Sequence, residues 1–307
     1  MRRPVGSHVP FTGGLAASSL RYAEAVGAEA IQVFAANPRG WALPACDPAQ
    51  DELLGAEASR RGWPVFVHAP YLVNLASPDP GTRDRSAAAV RYCLERGARL
   101  GARGVIMHAG SSVGAPRDGA LRQVRELVLP MLEAVPEGGA GRGPGQGPGP
   151  GLLIEPMAGQ GTMLCSRPAE LHGYLAALDW HPRAGVCLDT CHVFAAGHDL
   201  TAPDGVAALL DALADAGAGG GRLALIHAND SLDGCGSHHD RHETIGAGKI
   251  GTGPFRDLLH HPATAGVPFI AETPGGEKGH ARDIALLRSL RDSASSDKRA
   301  TSGRKNA

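Results

Sequence analysis

Ala184-Gly-Val-Cys-Leu188 is an apolar run of the length of one buried parallel strand, and Asp189-Thr-Cys-His192 follows it directly, with Val-Phe-Ala-Ala-Gly-His-Asp-Leu200 beyond. A carboxylate and an imidazole therefore stand where the strand stops. Buried strands ending in polar groups are the pattern of a site at the C-terminal mouth of an α/β barrel. The event recurs along the chain. Strands are predicted over 5–9, 30–35, 65–68, 104–108, 152–155, 184–188, 223–227 and 268–272, and helices near 15–26, 48–61, 83–100, 117–134, 168–178, 206–216 and 279–293. Between 240 and 268 only a helix end at His260-His261 is expected.

Alternating strands and helices suit either an open doubly wound sheet or a closed barrel. Side-chain parity favours closure. Two residues before each polar strand end sits an apolar or thiol residue: Phe66, Ile106, Leu153, Cys187, Leu225 and Ile270. They form an apolar interior layer under a polar rim, the layered filling of a barrel. The expected fold is α/β, a (β/α)8 TIM barrel with its chemistry at the C-terminal rim of the strands. Residues 1–292 are expected to form one catalytic domain, with a flexible Gly/Pro-rich insertion at 137–151 and a disordered tail at 293–307. The insertion joins a helix to a strand, which puts it on the face opposite the rim.

Net charge is −1, so the composition has no overall basic signature for nucleic acid, although its 14 His exceed what solubility requires. No run approaches the roughly 20 apolar residues of a membrane span. The six scattered Cys are read as free thiols of a reduced, cytoplasmic protein.

The rim is rich in ligand chemistry. His68, His108, Glu155, Asp189, His227 and Glu272 end strands, while His192, Asp240 and His242 lie in adjoining loops. Crowded carboxylates repel one another and resist ionisation unless cations join them. Nitrogen and oxygen donors without thiolate suit zinc or manganese, and nine groups exceed one tetrahedral site. Two or three ions are implied.

Several segments together carry a family resemblance: Gly6-Ser-His-Val, Asn37-Pro-Arg-Gly-Trp41, His68-Ala-Pro-Tyr-Leu-Val-Asn-Leu75, Glu155-Pro-Met-Ala-Gly-Gln-Gly161, Gly185-Val-Cys-Leu-Asp-Thr-Cys-His192, His227-Ala-Asn-Asp230, Asp240-Arg-His-Glu-Thr-Ile-Gly246 and Glu272-Thr. The chain resembles endonuclease IV, the zinc-dependent apurinic/apyrimidinic (AP) endonuclease family. The resemblance implies three zinc ions, with manganese able to replace zinc at one or more sites. One would take His68, His108 and Glu155; a second would share Glu155 and add Asp189, His227 and Glu272; the third would take His192, Asp240 and His242. It also implies in-line hydrolysis of the phosphodiester 5′ to an abasic site, leaving a 3′-hydroxyl and a 5′-deoxyribose phosphate, with Glu155 catalytic. Blocked 3′ ends would be trimmed likewise. The implied partner is duplex DNA with abasic sites or 3′-blocked ends, met by a monomer in the cytoplasm, at the nucleoid, with no membrane.

Arg39 and Tyr71 match the family's DNA-contacting loop positions. His8 is expected to hydrogen-bond a ligand rather than be one. Asn37 and Trp41 are read as turn and loop packing. Pro156-Met157 departs from the family's usual Asn-Thr after the bridging Glu and removes side-chain hydrogen bonds there. Two other readings are weighed: a metal-dependent sugar isomerase or epimerase of the same barrel form, which would leave His192, Asp240 and His242 without a task, and an abasic-site binder of low turnover.

Overall fold

The computed structural model describes residues 1–135 and 149–293. In chain order the elements are β1 (Val5–His8), α1 (Leu15–Val26), β2 (Ile31–Phe34), α2 (Pro48–Arg61), β3 (Val65–His68), α3 (Pro80–Arg99), β4 (Gly104–His108), α4 (Arg117–Ala134), β5 (Gly151–Glu155), α5 (Glu170–Ala177), β6 (Ala184–Asp189), α6 (Thr190–Ala195), α7 (Gly205–Asp215), β7 (Leu223–His227), β8 (Asp230–Ser231), β9 (His242–Glu243), α8 (Thr252–His260), β10 (Phe269–Ala271) and α9 (Gly276–Asp292). Eight strands close into a parallel barrel in the order β1-β10-β7-β6-β5-β4-β3-β2, while β8 and β9 form a separate antiparallel ribbon. The expected (β/α)8 TIM barrel is the observed fold.

Two apolar layers follow from strand parity. Phe66, Ile106, Leu153, Cys187, Leu225 and Ile270 pack together inside the barrel, joined by Ala30. Outward-facing strand residues such as Val33, Val67 and Ile154 pack with helix residues such as Leu54, Val90 and Leu209. Gly6 permits the close approach of β1 to the chain entering β2, since a Cβ there would lie 1.7 Å from the Ala30 carbonyl oxygen.

Several boundaries differ from expectation for local reasons. Helix α3 starts at Pro80 rather than near 83, because Asp79 caps it by accepting from Thr82 N (2.6 Å) and Pro80 occupies its first position. The helix end expected at His260-His261 is the end of α8, whose start the sequence reading did not place; the helix buries Pro254, Phe255, Leu258 and Leu259. The short α6 and the β8–β9 ribbon also carry too few residues to show a period. Of the Gly/Pro-rich stretch, Gly149 and Pro150 are buried and Gly151 opens β5, while 137–148 lie outside the described residues. So does all of the tail after Ser293. Among the described residues no helix is long and apolar enough to cross a membrane.

Helices α2 and α3 are joined by a buried ionic link. Asp51 is fully buried and accepts from Arg96 and from Arg99 Nε (3.1 Å), while Arg96 Nη1 donates to the Ala35 carbonyl just after β2 (2.7 Å). Removing one member leaves buried charge unbalanced. Asp51→Ala should lower unfolding free energy by about 3 kcal/mol, seen as a reduced urea midpoint at unchanged slope.

Candidate metal centre

Strand register sets the polar ends side by side. His108 lies opposite Glu155 across β4 and β5, and Asp189 lies opposite His227 across β6 and β7. Glu272 follows β10 two residues beyond Ile270, which pairs with His227. All nine residues singled out from the sequence come together around one cavity of about 410 Å3. Its lining includes His68, Tyr71, His108, Glu155, His192, Asp240, His242 and Glu272; Asp189 and His227 are fully buried beneath them.

Three groups can be distinguished. Glu155 Oε2 lies 3.3 Å from His68 Nε2 and 3.7 Å from His108 Nε2. His227 Nδ1 lies 3.0 Å from Glu155 Oε1, 3.3 Å from Glu272 Oε2 and 3.9 Å from Asp189 Oδ2. Asp240 Oδ1 lies 3.2 Å from both His192 Nε2 and His242 Nε2. The first and third sets each have donor atoms close enough to hold one ion.

Ring orientation is fixed from behind. His68 Nδ1 donates to the Ala69 carbonyl (2.6 Å), His192 Nδ1 to the Pro156 carbonyl (3.0 Å) and His242 Nδ1 to the Glu272 carbonyl (3.3 Å). Each ring therefore turns Nε2 inward, the outer hydrogen bond that metal-binding imidazoles use. Pro156 keeps His192 oriented through its main-chain carbonyl, so the departure at Pro156-Met157 leaves that bond intact.

The electrostatics call for added positive charge. Burial alone would raise the Glu155 pKa, but His227, His68 and His108 outweigh it and hold the carboxyl well below its usual range. Burial likewise opposes ionisation of Asp240 and Glu272, and neighbouring imidazoles again prevail. His192, which burial would lower, is held up at about 10 by Asp189, Asp240 and Glu155. His108, without so many carboxylate neighbours, is lowered by burial to about 4. The buried His192 and His242 Nε2 atoms have no aligned hydrogen-bond partner among the described residues, although both approach Asp240. Ligand atoms that converge without aligned hydrogen bonds suit a shared cation that displaces the imidazole protons, so the residues fit divalent ions.

Other sequence-selected residues take distinct places. Tyr71 is 45% exposed, stacks on His108 (centroids 5.7 Å apart) and packs edge-on to His68; burial, Glu272 and Glu155 push its pKa up to about 12. Arg39 is exposed and does not line the cavity, but its loop is tied to the next by Tyr71 N donating to the Pro38 carbonyl (2.9 Å). Asn37 Oδ1 accepts from Arg39 N (2.9 Å), and Arg85 lies over the Trp41 ring. His8 Nδ1 meets Gln32 Nε2 at 3.0 Å and Glu272 Oε1 at 3.7 Å.

Three buried polar residues escaped the sequence reading of the site. Gln32 contacts His8, His227 and Glu272. Asn229 Nδ2 donates to Asp189 Oδ2 (2.7 Å), and its Oδ1 accepts from Glu272 N (2.8 Å). Asp230 accepts from the backbone amides of Ser231, Gly246, Gly248, Ile250 and Gly251. The available signal was a polar residue inside or just after an apolar run.

Fold and site define a metal-dependent barrel enzyme, and the xylose isomerase-like TIM barrel family model matches residues 20–290. A "Probable endonuclease 4" of Streptomyces coelicolor is 53% identical over 95% of this chain and 96% of its own length. The crystal structure of endonuclease IV from Thermus thermophilus superposes with a TM-score of 0.78 at 34% identity, covering 94% of this chain and 98% of that one. The chain belongs to the endonuclease IV family. A D-tagatose 3-epimerase-like protein shares the fold alone, with TM-score 0.66 and 17% identity over 94% of this chain and 96% of that one.

Asp230 anchors the loop that carries Asp240 and His242. Asp230→Asn turns an amide donor toward two or three N–H groups and should cost about 2–3 kcal/mol. Limited proteolysis should show earlier cleavage within 231–251 than in the wild type.

Proposed function

We propose that the protein is a DNA-repair endonuclease that hydrolyses the phosphodiester 5′ to abasic sites in duplex DNA, leaving a 3′-hydroxyl and a 5′-deoxyribose phosphate, and that it also trims blocked 3′ ends. The observation that carries this reading is one buried carboxylate, Glu155, lying between separate His and carboxylate groups at the floor of one open cavity. His68, His108 and Glu155 would hold one zinc; Glu155, Asp189, His227 and Glu272 a second; His192, Asp240 and His242 a third. The same donors also suit manganese. Bound divalent ions supply Lewis acidity at phosphate oxygens, lower the pKa of water and give the local positive potential that a chain of net charge −1 lacks.

The chain's own groups do the rest. Glu155, its carboxylate kept ionised by the neighbouring imidazoles, orients the attacking water. Tyr71, stacked against the His108 ring, and Arg39, on the adjoining loop, touch the duplex around the lesion. His8 packs beside Glu272, with Nδ1 3.7 Å from Oε1. In this reading residues 1–292 form one catalytic domain acting as a monomer in the cytoplasm, at the nucleoid.

The test is cleavage of a duplex oligonucleotide bearing one abasic-site analogue, with metal-quantified protein. A single incision 5′ to the lesion, near three metals per chain and a loss of about 1,000-fold in Glu155→Gln are expected. No incision, one metal per chain and turnover of a keto-sugar would overturn the proposal. Tyr71→Ala should raise the KM for the same duplex about tenfold at unchanged metal content.

A further inference from the structure

Strands β1 and β2 supply none of the nine proposed ligands, yet β2 carries Gln32, fully buried at the barrel axis. The neighbouring interior positions hold apolar residues such as Ala30 and Phe66, so a hydrophobic side chain would fill the space without desolvating an amide. The Gln32 amide is instead fully used. Its Oε1 accepts from His227 Nε2 at 2.7 Å. Its Nε2 donates to Glu272 Oε1 at 2.6 Å and to His8 Nδ1 at 3.0 Å.

A carboxamide offers donors and acceptor in one fixed plane, so these bonds constrain three partners together. His227 must carry a proton on Nε2, which leaves Nδ1 as the ring atom facing Glu155, Glu272 and Asp189. This ring is reversed relative to His68, His192 and His242, whose Nε2 atoms face inward. Glu272 has Oε1 held, which leaves Oε2 toward His227. His8 must present an unprotonated Nδ1, so it packs beside Glu272 as a neutral ring.

We propose that Gln32 is a positioning residue for the ion held by Glu155, Asp189, His227 and Glu272, setting the reversed His227 ring and the Glu272 carboxylate with a single amide. The proposal rests on the metal reading above. It is tested by comparing wild type with Gln32→Met, which keeps length and loses the hydrogen bonds, using zinc titration, metal content after dialysis against a weak chelator, and melting with and without zinc.

Wild type should retain its ions, whereas Gln32→Met should lose close to one per chain and bind that ion 10–100-fold more weakly. Its metal-free melting temperature should not fall, and excess zinc should restore incision. Gln32→Glu, which keeps an acceptor for His227 but sets a carboxylate against Glu272, should lose the same single ion. Equal zinc affinity and content in wild type and both variants would overturn the positioning role. So would equal loss of melting temperature with and without zinc, which marks a packing defect. A wild type that binds no zinc would overturn the metal reading itself, and this role with it.

Discussion

A carboxylate at the bottom of a low-dielectric well needs positive charge beside it, and Glu155 sets that requirement for the whole rim. It is 1% exposed, with imidazole nitrogens of His68, His108, His192 and His227 at 3.0–3.7 Å. Asp189, Asp240 and Glu272 crowd the same space. Such a set is costly unless every charge is balanced and every lone pair directed. The barrel directs them, because parallel register delivers neighbouring strand ends at one height.

The site has two kinds of support. Five of the proposed ligands end barrel strands, and Glu272 follows one directly. Their positions are set by the sheet and by the apolar layer beneath. His192 is turned inward from α6, whose first turn is capped by Asp189 through the Cys191 and His192 amides. Asp240 and His242 come from a loop whose regular structure is a ribbon of two residues a side. That loop depends on Asp230 and on the glycines that let backbone approach it. A Cβ at Gly248 would lie 2.5 Å from Asp230 Oδ1.

Strand ends were legible because each couples an apolar run to an abrupt polar stop, and period-two parity gave the inner layer residue by residue, Ala30 excepted. The long Asp189-to-His192 and Asp240-to-Gly246 segments made the family legible. Of helix α8 only the end at His260-His261 was legible; its start was not, because Gly251, Gly253 and Pro254 carry no helical period ahead of the buried Phe255, Leu258 and Leu259. Gln32, Asn229 and Asp230 were hidden differently. Their roles depend on what crosses the barrel axis or closes a loop, with partners up to 240 positions away in the chain, as for Gln32 and Glu272. A single polar residue in an apolar run reveals that something must satisfy it, but not what.

The outer hydrogen bonds of the imidazoles bear on how this sequence can change over time. His68, His192 and His242 are keyed by the carbonyls of residues 69, 156 and 272, groups that every amino acid possesses. Substitution at 156 therefore leaves the donor–acceptor pattern of His192 in place, and Pro156 illustrates that latitude. His227 is keyed by a side chain. Genetic drift is thus buffered around three of the five rings by the main chain and concentrated on His227, where one codon governs the orientation of a buried histidine.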